Sequence, residues 1–152
     1  MVCCFFGHRT ICETEELKTR LREIIKRLIE EENVDTFLFG SKSRFNDLCY
    51  ELVNDCKNTH PDLKRVYVRG EYPCINDRYE AYLLEKYEAT YFPEKALGAG
   101  KAIYVERNYE MIRKSDICVV YYDEKFAPAT RKSGTKIALD YAVRQKKRII
   151  KV

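Results

Sequence analysis

The sequence predicts an α/β fold: a doubly wound, mainly parallel sheet with helices on both faces. Short β-branched or aromatic runs alternate with longer segments of helical periodicity along the whole chain, which is the pattern of repeated βαβ units. At 152 residues the chain has the length of one domain, able to bury about 68–70% of the surface it exposes when unfolded. No internal repeat and no linker divides it, so residues 1–152 are expected to form a single domain.

Val2 to Phe6 reads as a buried first strand, followed by Gly7 and a polar turn. Thr10 with Glu13 fits a capping box ahead of a helix. In that helix Leu17, Leu21, Ile24, Ile25, Leu28 and Ile29 recur at helical spacing, with Lys, Arg and Glu on the opposite face, so one stripe is predicted to pack on the sheet. Thr36 to Phe39 is a second strand ending at Gly40-Ser41, and the next helix carries Phe45, Leu48, Cys49, Leu52, Val53 and Cys56 on one face. Arg65 to Arg69 and Glu88 to Phe92 are further strands. Gly70, Pro73, Pro93, Gly98 and Gly100 around them predict loops. Tyr104 to Lys114 is predicted helical, Asp116 to Tyr122 a core strand, Gly134 to Gln145 a helix and Arg148 to Val152 a closing strand.

The composition, 45% hydrophobic and 34% charged with 6 Gly and 4 Pro, excludes collagen-like, low-complexity and disordered classes. No apolar run approaches the ~18 residues of a membrane span, and residues 1–12 do not read as a signal peptide; a cytoplasmic protein with no membrane partner is expected. The formal charge of +4 admits anionic ligands without the strongly basic footprint of a dedicated nucleic-acid binder. The seven cysteines (Cys3, Cys4, Cys12, Cys49, Cys56, Cys74, Cys118) show no C-x-x-C pair and no zinc spacing, and are expected to act as small core hydrophobes. Neither His8 nor His60 has a partner at ligand spacing, so no metal is implied, and no cofactor is called for.

In an open parallel sheet the ligand crevice lies beyond the carboxyl ends of the strands. Four strand-end segments are therefore candidates. Gly7-His8-Arg9 combines a sharp strand exit with an arginine able to fork onto a phosphate or carboxylate; a solvated turn is the plain alternative. Gly40-Ser41-Lys42-Ser43 joins strand to helix with small residues, hydroxyls and a cation, a turn whose N–H groups can face an anion. It is neither a Walker A nor a G-x-G-x-x-G sequence, and an ordinary serine N-cap also explains it. In Glu106-Arg107-Asn108 successive helical positions cannot all face one way; Arg107 is expected to enter the crevice, the alternative being an exposed pair with Glu110. Ser133-Gly134-Thr135 places glycine and two hydroxyls ahead of the last helix, a second phosphate-compatible nest.

Together these segments resemble the SLOG superfamily of Rossmann-like nucleotide-binding proteins, above all its YpsA-like branch. Cys4-Phe5-Phe6-Gly7-His8-Arg9 is similar to that branch's opening strand and G-H-R turn. Glu106-Arg107-Asn108-Tyr109-Glu110-Met111, with Ser115-Asp116, is similar to its E-R-[NK]-x-x-M…S-D segment, and Ser133-Gly134-Thr135 with Tyr141-Ala142 to its G-G-T…Y-A segment. The resemblance implies a nucleotide or nucleotide-derived phosphate ligand held by small-residue loops, and it allows a homo-oligomer. The related Lonely Guy proteins, which share E-R-x-x-x-M, hydrolyse the N-glycosidic bond of nucleoside monophosphates and carry P-G-G-x-G-T-x-x-E. Here Gly134-Thr135 matches the G-T, Lys132-Ser133 stands in place of glycine, and Ala138 occupies the glutamate position.

An oxocarbenium-like transition state calls for a nearby carboxylate. An N-glycosidase would need Glu106 or Asp140 in that role, with Arg107 beside it. DprA-like relatives bind single-stranded DNA, and the twelve tyrosines and the Lys146-Lys147-Arg148 run leave a third reading, single-stranded nucleic-acid binding, behind the first two. The leading expectation is binding or sensing of a nucleotide-like phosphate. In it, Arg9 and Arg107 meet the small-residue corners across one anion pocket.

Overall fold

The structure is a computed structural model that describes residues 1–130 and 132–152. Six strands form one sheet: β1 (Val2–Gly7), β2 (Thr36–Phe39), β3 (Lys64–Val68), β4 (Ala89–Tyr91), β5 (Ile117–Tyr121) and β6 (Arg148–Lys151). Their order is β4-β3-β2-β1-β5-β6, and every pairing is parallel. The helices are α1 (Glu15–Glu30), α2 (Arg44–Cys56), α3 (Asp77–Leu84), α4 (Ile103–Lys114) and α5 (Gly134–Arg144). This is the expected doubly wound, Rossmann-like α/β architecture.

Side chains on a strand alternate between faces, and the core divides accordingly. Cys3, Phe5, Phe37, Phe39, Ile117 and Val119 face α1 and α2. Cys4, Phe6, Leu38, Val68, Cys118 and Val120 face α4 and α5. All six apolar positions of the α1 stripe are buried, each contributing about 1.5–3 kcal/mol relative to exposure. On the α1/α2 face the Phe5 ring stacks on Phe37 at 5.8 Å and on Phe39 at 5.4 Å. The chain runs outward from β1 to β4 and then returns to place β5 on the other side of β1. The winding therefore reverses between β1 and β5, and the loops leaving their carboxyl ends diverge to opposite faces of the sheet. A crevice opens at such a point.

The capping box expected at Thr10 and Glu13 does not form. Ile11 is buried in the core, which keeps the chain extended until Thr14, whose Oγ1 accepts the Leu17 N–H at 3.1 Å. Glu13 instead accepts from Arg44 Nε and Nη2 at 2.7 and 2.6 Å. α3 falls in a stretch expected to be loop; Asn76 caps it by accepting the Tyr79 N–H at 2.8 Å, and only Leu83 of its residues is buried. Cys3, Cys4, Cys49 and Cys118 are core residues as expected, and burial pushes the thiols of Cys3, Cys4 and Cys49 up. Cys12 and Cys74 are exposed on loops instead, and Cys56 is half-buried. No helix among the described residues is long and apolar enough to cross a membrane.

A polar tie holds β3 to the chain before β4. The Arg65 guanidinium donates to Glu88 at 3.1 and 2.9 Å, and the Arg65 N–H donates to the same carboxylate at 2.6 Å. Burial alone would raise the Glu88 carboxyl, but hydrogen bonds from Arg65 and Lys57 hold it down at about 2, so the tie stays ionised through ordinary pH.

Gly7 ends β1 opposite Tyr121, directly beneath α2. A Cβ at this position would lie 2.3 Å from the Phe45 ring, closer than any packed carbon can sit. Gly7→Ala is therefore expected to cost about 1–3 kcal/mol in urea unfolding, and Phe45→Leu in the same chain to return part of that loss. An unchanged midpoint in Gly7→Ala would contradict this packing.

Candidate functional site

A cavity of about 690 Å³ opens at the carboxyl edge of the sheet, within the size range of small-molecule sites. It brings together ten of the residues expected from sequence: Gly7, His8, Arg9, Ser41, Lys42, Arg107, Asn108, Ser133, Gly134 and Thr135. Gly40 and Glu106 are not on its wall. Gly40 lies behind it, and Glu106 is half-buried elsewhere on α4.

Arg107 is 5% exposed and enters the crevice from α4. Its Nη1 donates to the Gly40 carbonyl oxygen, its Nε donates to Asn108 Oδ1 at 2.9 Å, and its guanidinium lies 5.6 Å from the Tyr104 ring centroid. The exposed pair with Glu110 is not made; Glu110 takes a hydrogen bond from Arg113 at 3.0 Å. Burial lowers the Arg107 pKa from its ordinary value, since a desolvated cation is disfavoured. Among the described residues no carboxylate lies within salt-bridge distance of Arg107, and its Nη2 has no hydrogen-bond partner. No fully buried side-chain nitrogen or oxygen lacks a partner, so Nη2 keeps access to the cavity that Arg107 lines.

The Gly40 corner is built to receive this guanidinium. A Cβ on Gly40 would lie 2.6 Å from the Val68 carbonyl oxygen and 3.0 Å from Arg107 Cδ, so β2, β3 and α4 close on each other only around a glycine. Asn46, 4% exposed, locks the corner: its Oδ1 accepts the Gly40 N–H at 3.4 Å and its Nδ2 donates to the Phe5 carbonyl at 3.3 Å. Sequence reasoning missed Asn46, whose partners are set by the fold rather than by a motif.

The two nests differ. α2 is capped by Ser43 rather than Ser41: Ser43 Oγ accepts the Asn46 N–H at 3.1 Å, and the Arg44 N–H donates to the Arg9 carbonyl at 2.9 Å. Two first-turn N–H groups of α2 are thus satisfied by the protein itself. At α5, Ser133 Oγ accepts the Lys136 N–H at 3.1 Å, while a Cβ on Gly134 would meet no atom within 4 Å. Among the described residues the Gly134 and Thr135 N–H groups meet no acceptor, and both residues line the cavity. This end of the last helix remains open for an anion.

His8 lines the cavity at 6% exposure. Its Nε2 accepts the Asp123 N–H at 2.9 Å, and its ring packs against Tyr122 and Phe126 at 5.3 and 5.8 Å. A backbone N–H only donates, so Nε2 is unprotonated and the neutral ring carries its proton on Nδ1. Burial lowers the His8 pKa from its ordinary value, against the smaller pull of Asp123, and favours that neutral form. Nδ1 has no partner among the described residues.

The remaining wall was not anticipated as a site: Glu71, Lys101, Tyr104, Phe126, Pro128 and Lys132 among others. Glu71 was within reach of the strand-end rule, since it closely follows β3. Arg9, Lys42, Lys101, Arg107 and Lys132 make the lining strongly cationic, which concentrates anions in a walled cleft. Asp140, by contrast, is held by Lys132 and Lys136 at 3.0 and 2.9 Å. The basic run near the C-terminus is partly tied down, with Arg148 paired to Glu32 and Lys147 Nζ donating to the Arg113 carbonyl at 3.2 Å.

Neither a scan against protein-family models nor a search of curated proteins finds a match for the chain. The arrangement is that of a Rossmann-like α/β protein with a cationic strand-end cavity. Chemically it offers hydrogen-bond donors: a guanidinium, an imidazole N–H, helix-end amides and lysines.

The His8 assignment is open to direct measurement. Histidine ring NMR is expected to show the Nδ1-protonated tautomer and a titration midpoint below 6.5. An Nε2-protonated ring would contradict the geometry.

Proposed function

We propose that the cavity binds a nucleotide or nucleotide-derived phosphate, and that the chain is a ligand-binding or sensing protein of the SLOG kind. One observation carries this reading: the Arg107 guanidinium is 5% exposed and has no carboxylate partner among the described residues. Burying a cation is costly unless it is paired, and a phosphate in the cavity supplies the missing anion through Nη2 in a charge-assisted bond. The open N-terminus of α5, the His8 Nδ1–H and the cationic lining support the same class of ligand. The exposed Phe126 and Tyr104 rings on the wall add flat surface for a base.

The positions that sequence offered for an N-glycosidase do not support that reading. Glu106 is off the wall, Asp140 is engaged by two lysines, and Ala138 is fully buried. Single-stranded nucleic-acid binding draws no support from the Lys146-Lys147-Arg148 run, because Arg148 and Lys147 have partners within the protein.

Heating the purified protein and identifying released small molecules by mass spectrometry tests the proposal, alongside thermal shift with nucleoside monophosphates. A ligand at a hundred times its Kd stabilises by about 2.7 kcal/mol, a clear rise in Tm. Arg107→Met is expected to weaken binding at least about tenfold, since a hydrogen bond to a charged group contributes about 1.5–3 kcal/mol. No released ligand and no stabilisation by any phosphate compound would contradict the proposal.

A further inference from the structure

The charge pattern of the cavity has one exception. Among its described lining residues Glu71 is the sole carboxylate, set among Arg9, Lys42, Lys101, Arg107 and Lys132. A site that only gathers phosphate gains nothing from a carboxylate, which repels phosphate oxygens.

Glu71 is also held in place. The Arg69 guanidinium donates to the Tyr72 carbonyl at 3.2 Å, to the Pro73 carbonyl at 3.4 Å and to Thr90 Oγ1 at 3.1 Å, pinning the turn that carries it. The preceding residue, Gly70, lies against the site, where a Cβ would be 3.2 Å from Arg107 Nη1 and 3.2 Å from the Tyr104 ring. The Glu71 side chain is 22% exposed; its Oε1 contacts Lys42 Nζ, while the Lys42 side chain is 71% exposed. A pair with so solvated a lysine contributes little, and although the Glu71 charge also favours the Arg107 cation, the two are not in salt-bridge contact among the described residues. Among the described residues Oε2 has no partner.

An ionised carboxylate only accepts hydrogen bonds. Next to a phosphate-binding guanidinium, the group it favours on a ligand is a hydroxyl carried close to the phosphate, as in a sugar phosphate. We infer that Glu71 accepts a hydrogen bond from a ribose hydroxyl of the ligand, so that the cavity selects ribonucleotides over hydroxyl-free nucleotides and simple polyanions. This inference rests on the phosphate-binding reading of the same cavity. Glu71 acts in it as a specificity residue, with no bond made or broken.

Binding to the full chain of the four ribonucleoside 5′-monophosphates, their 2′,3′-dideoxy counterparts and inorganic pyrophosphate tests the inference. The tightest ribonucleotide is expected to bind at least about tenfold more strongly than its dideoxy counterpart, a ratio that charge-assisted hydrogen bonding supplies. Glu71→Ala is expected to close that gap to about twofold and to tighten pyrophosphate by relieving repulsion. Glu71→Gln, which keeps the acceptor and removes the charge, should lie between. Equal binding of ribo and dideoxy ligands by the wild-type chain overturns the role of Glu71 alone, and this comparison needs no variant to fold. A gap that persists in Glu71→Ala also overturns it. If neither pyrophosphate nor any nucleotide binds the wild-type chain, the phosphate reading falls and this inference falls with it.

Discussion

The buried Arg107 guanidinium is the constraint around which the carboxyl edge of the sheet is arranged. A desolvated cation without a close counter-ion is expensive; this one is held at contact by neutral groups, the Gly40 carbonyl, the Asn108 amide and the Tyr104 ring, while the Glu71 carboxylate favours its charge from beyond salt-bridge distance. Those contacts tie α4 to the end of β2. They also demand glycine at position 40, because a Cβ there would meet the Val68 carbonyl oxygen at 2.6 Å. Asn46 holds the corner from the other side of the sheet, between Gly40 and Phe5. The fold and the anion-seeking group therefore depend on one set of contacts.

Topology gives that group a cavity to face. The winding reverses between β1 and β5, and both the turn after β1 and the segment after β5 contribute to the cavity lining. A hydrogen bond from the Asp123 N–H to His8 Nε2 spans them. It fixes the imidazole so that its proton is on Nδ1. α2 is capped by Ser43 and tied to Arg9, whereas at the start of α5 the Gly134 and Thr135 N–H groups stay open beside the cavity. Glu71 then sets a polarity within an otherwise cationic lining.

Much of the architecture was legible because burial leaves a period in the sequence. The α1 stripe from Leu17 to Ile29 and the apolar run of β5 depend on local pattern, and both occur where that pattern puts them. The strand-end rule and the choice of Arg107 on its helix located half of the described cavity-lining residues. What failed was decided by distant contacts. Thr10 and Glu13 fit a capping box, yet the burial of Ile11 and the claim of Arg44 on Glu13 move the helix start to Thr14. α3 buries only Leu83, so it carries almost no apolar stripe to read. Arg107 meets Gly40 across 67 residues, and Asn46 matters through neighbours that no spacing rule connects.

A crystal structure of the chain with a bound nucleoside monophosphate tests this account most directly. It predicts a phosphate oxygen within about 3.2 Å of Arg107 Nη2, with Nη1 still on the Gly40 carbonyl. A ligand seated elsewhere, leaving that guanidinium in contact with solvent alone, would contradict it.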